Sequence, residues 1–556
     1  MPSAMIKPLT AILGLLLTAA ATPALADTLI YNVNGIQVDA GGKLQRFGGL
    51  VIDDNGRVKQ LIQRTEDLNR PIEHEVDGGG RTLLPGLIDA HGHVMSLGFG
   101  ALQLDLTGAS SLADLQQRLK TYAAANPGNG WIQGRGWNQE LWADKRFPTA
   151  ADLDAVVNDR PVWLGRVDGH AAVGNSAALR AAGITTATRS PEGGRIENGL
   201  FVDAAMGLVK SKIPPPTAAA YDAALAKAQE LMLAFGLTAA ADMGTSPDDW
   251  AAMNRAGQAG RLNVRVLGYA GGIPAMRAIN GGKPSGWLYG DRLHLGGVKL
   301  YADGALGSRG AWLKAPYHDM PQTRGLPLIT RAELDRQTDE AARSGHQLAI
   351  HAIGDAANDL VIGAFERVGS NDRQRSRLEH AQVLDVADLP RLAKAGIIAS
   401  MQPTHQTSDR TMAEARLGPD RLGGAYAWQT IAKSGARLAF GSDFPVESPN
   451  PFPGLAAAIS RQGLDGQPPG GWRPEERVSF EAALGGFTRD AAYAGFAEDK
   501  IGSLDPGKYA DFILVDRDVS KVSPGELGRT EVLETWVAGV KMWQRAASAG
   551  AGERGR

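Results

Sequence analysis

Leu84-Pro85-Gly86-Leu87-Ile88-Asp89-Ala90-His91-Gly92-His93 is the stretch from which the chain is read. Its apolar run, Leu87 to Ala90, follows a Pro-Gly turn and predicts a buried strand. Side chains two apart on a strand face the same way. His91 and His93 at the strand end therefore offer two imidazoles to one point in space. Neutral imidazole is a ligand for zinc and its neighbours. Taken alone, His-x-His reads equally well as two polar loop residues, so the rest of the chain decides.

Working outward, from residue 86 the chain alternates apolar runs with helical stretches. Eight runs read as strands: Gly86 to His91, Leu237 to Met243, Arg265 to Ala270, Leu295 to Tyr301, Gln347 to Ile353, Arg377 to Ala381, Ile397 to Gln402 and Leu438 to Ser442. Helical periods lie between most of them, among them Thr217 to Phe235, Arg331 to Ser344 and Ala356 to Val368. This pattern predicts an α/β protein with a (β/α)8 TIM-type barrel over residues 86–495. The gap after the first strand is too long for one helix, so residues 100–236 are expected to hold an insertion over the barrel mouth. Residues 27–85 and 496–545 are rich in short strands and turns, including an Asp54-Asn55-Gly56 hairpin. They predict one small composite β-sandwich closed by both ends of the chain.

The ends read differently. Lys7, the apolar run Leu9 to Ala21 and the small-x-small site Ala24-Leu25-Ala26 predict a signal peptide over residues 1–26. That implies export, to a bacterial periplasm or beyond, with no stable membrane anchor after cleavage. Residues 546–556 read as a disordered Gly/Ala/Arg tail. The 556-residue chain has no cysteine, which excludes disulfides and thiolate chemistry. A net charge of -2 leaves no basic footprint for nucleic acid. A small-molecule substrate is the expected partner, and a homo-oligomer stays open.

Active-site residues of such barrels sit at the C-terminal ends of the strands. Those ends carry His91 and His93, Lys299, His351, His380 and Asp443. Each alone has an ordinary structural reading, as a core histidine, a snorkelling lysine or a turn cap. Converging from five strands, they read as a metal site. Two four-coordinate ions need about eight ligand positions, more than four histidines supply. Lys299 has only donors as an ammonium. As a carbamate formed with carbon dioxide it becomes a bridging carboxylate. A metal brings the pKa of water to about 7, and Asp443 can move that water's proton.

These residues resemble the metal-dependent amidohydrolase superfamily, and most closely its YtcJ-like (amidohydrolase 3) branch. The carriers include Leu84 to His93, Gly169 to Ser176, Val298 to Arg309, His351 to Asp355, Arg377 to His380, Met401 to His405, Gly441 to Glu447 and Gly502 to Asp511. The resemblance implies that His91, His93, His351 and His380 bind metal, with zinc, one or two ions, as the expected cofactor. It implies a carbamylated Lys299 bridge and Asp443 as the catalytic acid/base. It also implies hydrolysis of a non-peptide C–N bond, in an amide, N-acyl or N-formyl compound. A cyclic amide, lactone or phosphoester suits the same site, and a binding or regulatory protein without turnover is a further alternative.

Less specific candidates remain. His170, in the insertion, can bond a substrate carbonyl or oxyanion, or merely fix its loop. Trp137, with Trp142, offers an apolar wall or core packing. Asp303 and His405 lie close enough in sequence to strand ends to reach the pocket. Arg309 reads as an anion contact or a loop salt bridge.

Overall fold

The computed structural model describes residues 27–546 apart from 69–71, 168, 170, 192 and 193. The expected signal peptide, the tail from residue 547 and His170 therefore lie outside the described residues.

Eight parallel strands form one sheet: β1 (Leu87–Gly92), β2 (Leu237–Thr245), β3 (Arg265–Gly271), β4 (Leu293–Tyr301), β5 (Gln347–Ala352), β6 (Arg377–His380), β7 (Ile398–Met401) and β8 (Leu438–Phe440). They follow one another around a TIM-type barrel, as the spacing of the apolar runs implies. Closure is made just past the ends of β1 and β8. The Asp443 amide donates to His91 O at 2.7 Å and the His93 amide to Phe444 O at 2.8 Å. Beneath them Asp89 accepts the His91 amide at 2.9 Å and the Ser442 hydroxyl at 2.6 Å, stapling the two strands. Gly92 is required here, because a Cβ would fall 2.4 Å from the Phe444 ring.

Inward residues of several strands, among them Ile88, Ala90, Ala239, Met243, Leu267, Ala349 and Ile398, fill the barrel together with Ala491 and Ala492. The last two belong to helix Arg489–Ala494, which plugs the end where the strands begin. There Gln347 Nε2 donates to Ala494 O at 2.9 Å. The opposite end is left for the polar residues.

The helix Ala218–Ala234 packs against helix Val94–Leu102 and against β2. It is the barrel's own helix, so the insertion proper lies between these two helices. Its six strands run in the order Gly194–Glu197, Leu200–Asp203, Ala171–Gly174, Val162–Arg166, Ile132–Trp137, Leu104–Asp105. Leu115, Leu119, Trp137 and Trp142 give this sheet a core of its own.

Both ends of the described chain share a second unit. Strands Asn34–Val38, Leu44–Phe47 and Thr82–Pro85 join Phe512–Val515, Val532–Val537 and Val540–Gln544 in one six-stranded sheet. It packs on a four-stranded sheet from residues 28–77 through Ile30, Leu50, Leu83, Phe512 and Trp536. The Asp54-Asn55-Gly56 turn joins antiparallel strands Gly49–Ile52 and Val58–Ile62.

Candidate active site

The seven residues His91, His93, Lys299, His351, His380, His405 and Asp443 line one cavity of 640 Å³ at the C-terminal end of the barrel. The insertion contributes Arg135, Arg166, Val167 and Gly169 to its rim. Asp443 sits at the centre. Its Oδ1 is 3.0 Å from His93 Nε2 and 3.5 Å from His91 Nε2, and its Oδ2 is 4.0 Å from His405 Nε2. Asp443 (φ 59°) and His380 (φ 74°) both hold left-handed backbone just past strand ends. Such strain in non-glycine residues concentrates at functional sites.

His91, His380 and His405 each have a hydrogen-bond partner on one ring nitrogen. His91 Nδ1 donates to Glu379 Oε2 at 2.6 Å, leaving Nε2 to face Lys299 Nζ at 3.2 Å. His380 Nδ1 donates to Gln402 Oε1 at 2.8 Å, so its Nε2 carries the lone pair. His351 turns Nε2 toward Asp303 Oδ1 at 3.5 Å, too long for a hydrogen bond but with the carboxylate on that side. Gln382 Nε2 donates to His405 Nδ1 at 3.1 Å, and His405 Nε2 is buried without a partner. Partners of this kind fix the tautomer and orientation of metal-binding histidines.

Burial sets the charge states. It pushes His91 down to about 4 and His351 to about 3, with Lys299 adding to both, and holds His380 well below its usual value. Burial also brings the Lys299 amine down to about 8, against the pull of Glu379 and Asp443. Asp443 is buried too, which opposes ionisation, but His91 and His93 hold its carboxyl well below the usual range.

Neutral imidazoles beside an ionised carboxylate are the donor set a zinc-like divalent ion takes. His91, His93 and Asp443 bring ligand atoms within 4.8 Å of one another, and His380, His405 and Asp443 form a second such group. His405 thus stands in the second group where the sequence placed His351. His351 remains beside it, its ring centroid 4.5 Å from that of His380.

Four of the substrate candidates do not line the cavity. Trp137 is fully buried inside the insertion, with Nε1 donating to Leu164 O at 2.8 Å, and forms no cavity wall. Trp142 is in the same core, donating to Ala109 O at 2.9 Å. Asp303 is spent on three backbone amides, those of Trp312, Ile353 and Gly354, at 2.8 to 3.0 Å. It supports the β5 end and so His351. Arg309 pairs with Asp319 at 2.8 Å outside the cavity. Conversely, Glu379, Gln402 and Arg135 went unassigned in the sequence. The first two stood inside quoted motifs, but only as neighbours of other residues.

A parallel barrel with a histidine–carboxylate cluster at its C-terminal face defines a metal-dependent hydrolase. A family model described as the amidohydrolase family matches residues 74–541. The chain belongs to that family, in its YtcJ-like branch. It is 34% identical over 491 residues to "Protein LONG AFTER FAR-RED 3" of Arabidopsis thaliana, covering 84% of this chain and 83% of the relative. It is 32% identical over 515 residues to "Putative amidohydrolase YtcJ" of Bacillus subtilis, covering 89% and 95%. To the "N-substituted formamide deformylase" of Arthrobacter pascens it is 27% identical, covering 94% and 99%. Among solved structures, an uncharacterized metal-dependent hydrolase from Pyrococcus horikoshii superimposes with a TM-score of 0.76 at 30% identity, covering 90% of this chain and 99% of that one.

Proposed function

We propose that this chain hydrolyses a non-peptide carbon–nitrogen bond, in an amide, N-acyl or N-formyl compound. The observation that carries the reading is the ionised Asp443 carboxylate, held between two imidazole groups and opening on a substrate-sized cavity. The likeness to an N-substituted formamide deformylase over nearly the whole chain supports the choice of bond.

His91, His93, His351 and His380 are the residues that would hold the ions, with the Asp443 carboxylate beside them and zinc the expected metal. When bound, such an ion acidifies a water and polarises a carbonyl. Asp443 then has the proton work: its free oxygen accepts a proton from the attacking water. It returns that proton to the nitrogen as the C–N bond breaks, giving a carboxylic acid and an amine. Lys299, lowered to about 8, has a share of neutral amine near neutral pH. That amine can add to carbon dioxide, forming an N–C bond and losing a proton, and the resulting carbamate accepts where an ammonium cannot. His405 Nε2, unpartnered in the cavity, offers a contact to the oxygen of the scissile carbonyl. The action is placed outside the cytoplasm on the strength of Lys7, the Leu9 to Ala21 run and the Ala24-Leu25-Ala26 site.

The test is amine release from N-substituted formamides and N-acyl amines by zinc-loaded protein, with a lactone and a phosphotriester alongside. Release that stops on chelation and returns with zinc is expected. Turnover of the lactone or phosphotriester alone would overturn the choice of bond.

A further inference from the structure

The cavity is larger than a formyl or acetyl amide needs, and its walls are not alike. On the barrel side Asp409 accepts the Tyr426 hydroxyl at 2.8 Å and Glu447 accepts the Ser408 hydroxyl at 2.7 Å. On the insertion side stand two arginines from neighbouring parallel strands, Ile132–Trp137 and Val162–Arg166. Val167, Leu306, Met412 and Val446 add apolar surface to the lining, of which Val167 and Val446 are exposed.

The two arginines differ. Arg166 is anchored, Nε donating to Gln139 Oε1 at 2.9 Å and Nη2 to Asn138 Oδ1 at 3.1 Å. Arg135 is half-buried on the outward-alternating face of its strand, next to Gly134 and Gly136, which are buried. Arg135 lines the cavity, and its side chain makes no hydrogen bond or ion pair among the described residues. Many other arginines among the described residues are paired; Arg265, Arg377 and Arg391, for example, each grip a carboxylate. A planar cation with five donors, partly desolvated and left without an acceptor, is suited to a carboxylate brought by a ligand.

We propose that Arg135 is the recognition site for a carboxylate on the substrate, so that the preferred substrates are N-acyl or N-formyl compounds bearing an anionic group. This rests on the hydrolase reading above. The scissile carbonyl lies at the histidines, the apolar body along Val167, Leu306, Met412 and Val446, and the carboxylate at the insertion rim. The insertion is then the specificity element of the barrel, and Arg166 shapes the shelf beside Arg135.

The experiment is titration calorimetry on zinc-loaded Asp443→Asn protein, which does not consume the ligand. The probes are N-formyl-DL-phenylalanine and its carboxamide, identical but for the charge. The carboxylate is expected to bind roughly tenfold or more tightly than the carboxamide. Arg135→Met brings it down to the carboxamide's level, and Arg135→Lys keeps part of the preference. Circular dichroism confirms that each variant is folded. Equal binding of the two probes, no binding of either, or a preference that survives in Arg135→Met overturns the proposal. Wild-type turnover is read separately. Lack of hydrolysis with the carboxylate preference intact would therefore strike the hydrolase reading and not the anion site.

Discussion

Two buried arginine–carboxylate pairs in the barrel put the same chemistry to different use. At the start of β3, Arg265 Nε reaches Asp511 Oδ2 at 2.7 Å and Nη2 reaches Oδ1 at 2.9 Å, and the Ala538 amide takes the same Oδ1 at 2.7 Å. Both oxygens are consumed, and the pair bolts the barrel to the composite β unit. On β6, Arg377 Nε donates to Glu379 Oε1 at 2.7 Å and Nη2 to Oε2 at 3.3 Å, and Oε2 also accepts His91 Nδ1 at 2.6 Å. Arg377 also donates to Tyr269 Oη and Ser400 Oγ at 3.0 Å. Burial works against ionising Glu379, yet Arg377 and His91 keep it charged. A buried pair whose carboxylate is fully spent holds structure together. One whose oxygen is shared with a histidine fixes which nitrogen of that ring faces the cavity.

The largest effect is expected where a carboxylate faces the cavity with neither kind of support removed. Asp443→Asn should lose about 10²- to 10⁴-fold in turnover while keeping its metal and its melting temperature. Turnover near wild type would end the proton-transfer assignment. Next comes the bolt: Asp511→Ala strands the Arg265 charge and should cost about 3–5 kcal/mol of stability, with metal affinity unchanged. A stable Asp511→Ala protein would remove the contrast from one side. Glu379→Gln should instead weaken metal binding by about 10- to 100-fold, read by competition with a chelator of known affinity. If Glu379→Gln and Asp511→Ala shift stability alike and leave metal affinity alone, the two pairs do the same job.

The smallest effect tests burial away from the cavity. Burial pushes His346 from 6.5 to about 4, so between those values the unfolded ring takes a proton that the folded ring refuses. Its contribution is complete above pH 6.5 and is lost as pH falls toward 4. Chemical denaturation from about pH 7 to about pH 5 should show wild type losing more stability than His346→Gln, by up to about 1.4 kcal/mol per pH unit. Parallel pH profiles would contradict this.

The barrel was legible because parallel strands buried on both faces read as continuous apolar runs. All eight appear where the runs lie, although β8 stops at Phe440 and the chain turns through Gly441 and Ser442 into Asp443. The insertion was legible only as an excess of length. Its strand Leu104–Asp105 has two residues, and Gly134 and Gly136 interrupt Ile132–Trp137, so no period signals a sheet. At the site the residue types at the strand ends were readable, but what turns each ring was not. Glu379 meets His91 from 288 positions away, and nothing local pairs them. Asp303 follows Lys299 closely, yet β4 has ended at Tyr301 and alternation no longer tells where the carboxylate points. Trp137 is two residues from Arg135, so plain alternation puts both on one face, and the bulge between them turns Trp137 into the core.

The metal content of the chain is the measurement that bears most directly on the histidine–carboxylate cluster. It is made by elemental analysis of protein purified without chelators and supplied with bicarbonate, alongside Lys299→Ala. Two zinc-like ions per chain, falling in Lys299→Ala together with amide hydrolysis, are expected. A protein that takes up no metal after supplementation, or that hydrolyses amides equally well without it, would contradict the assignment of these residues.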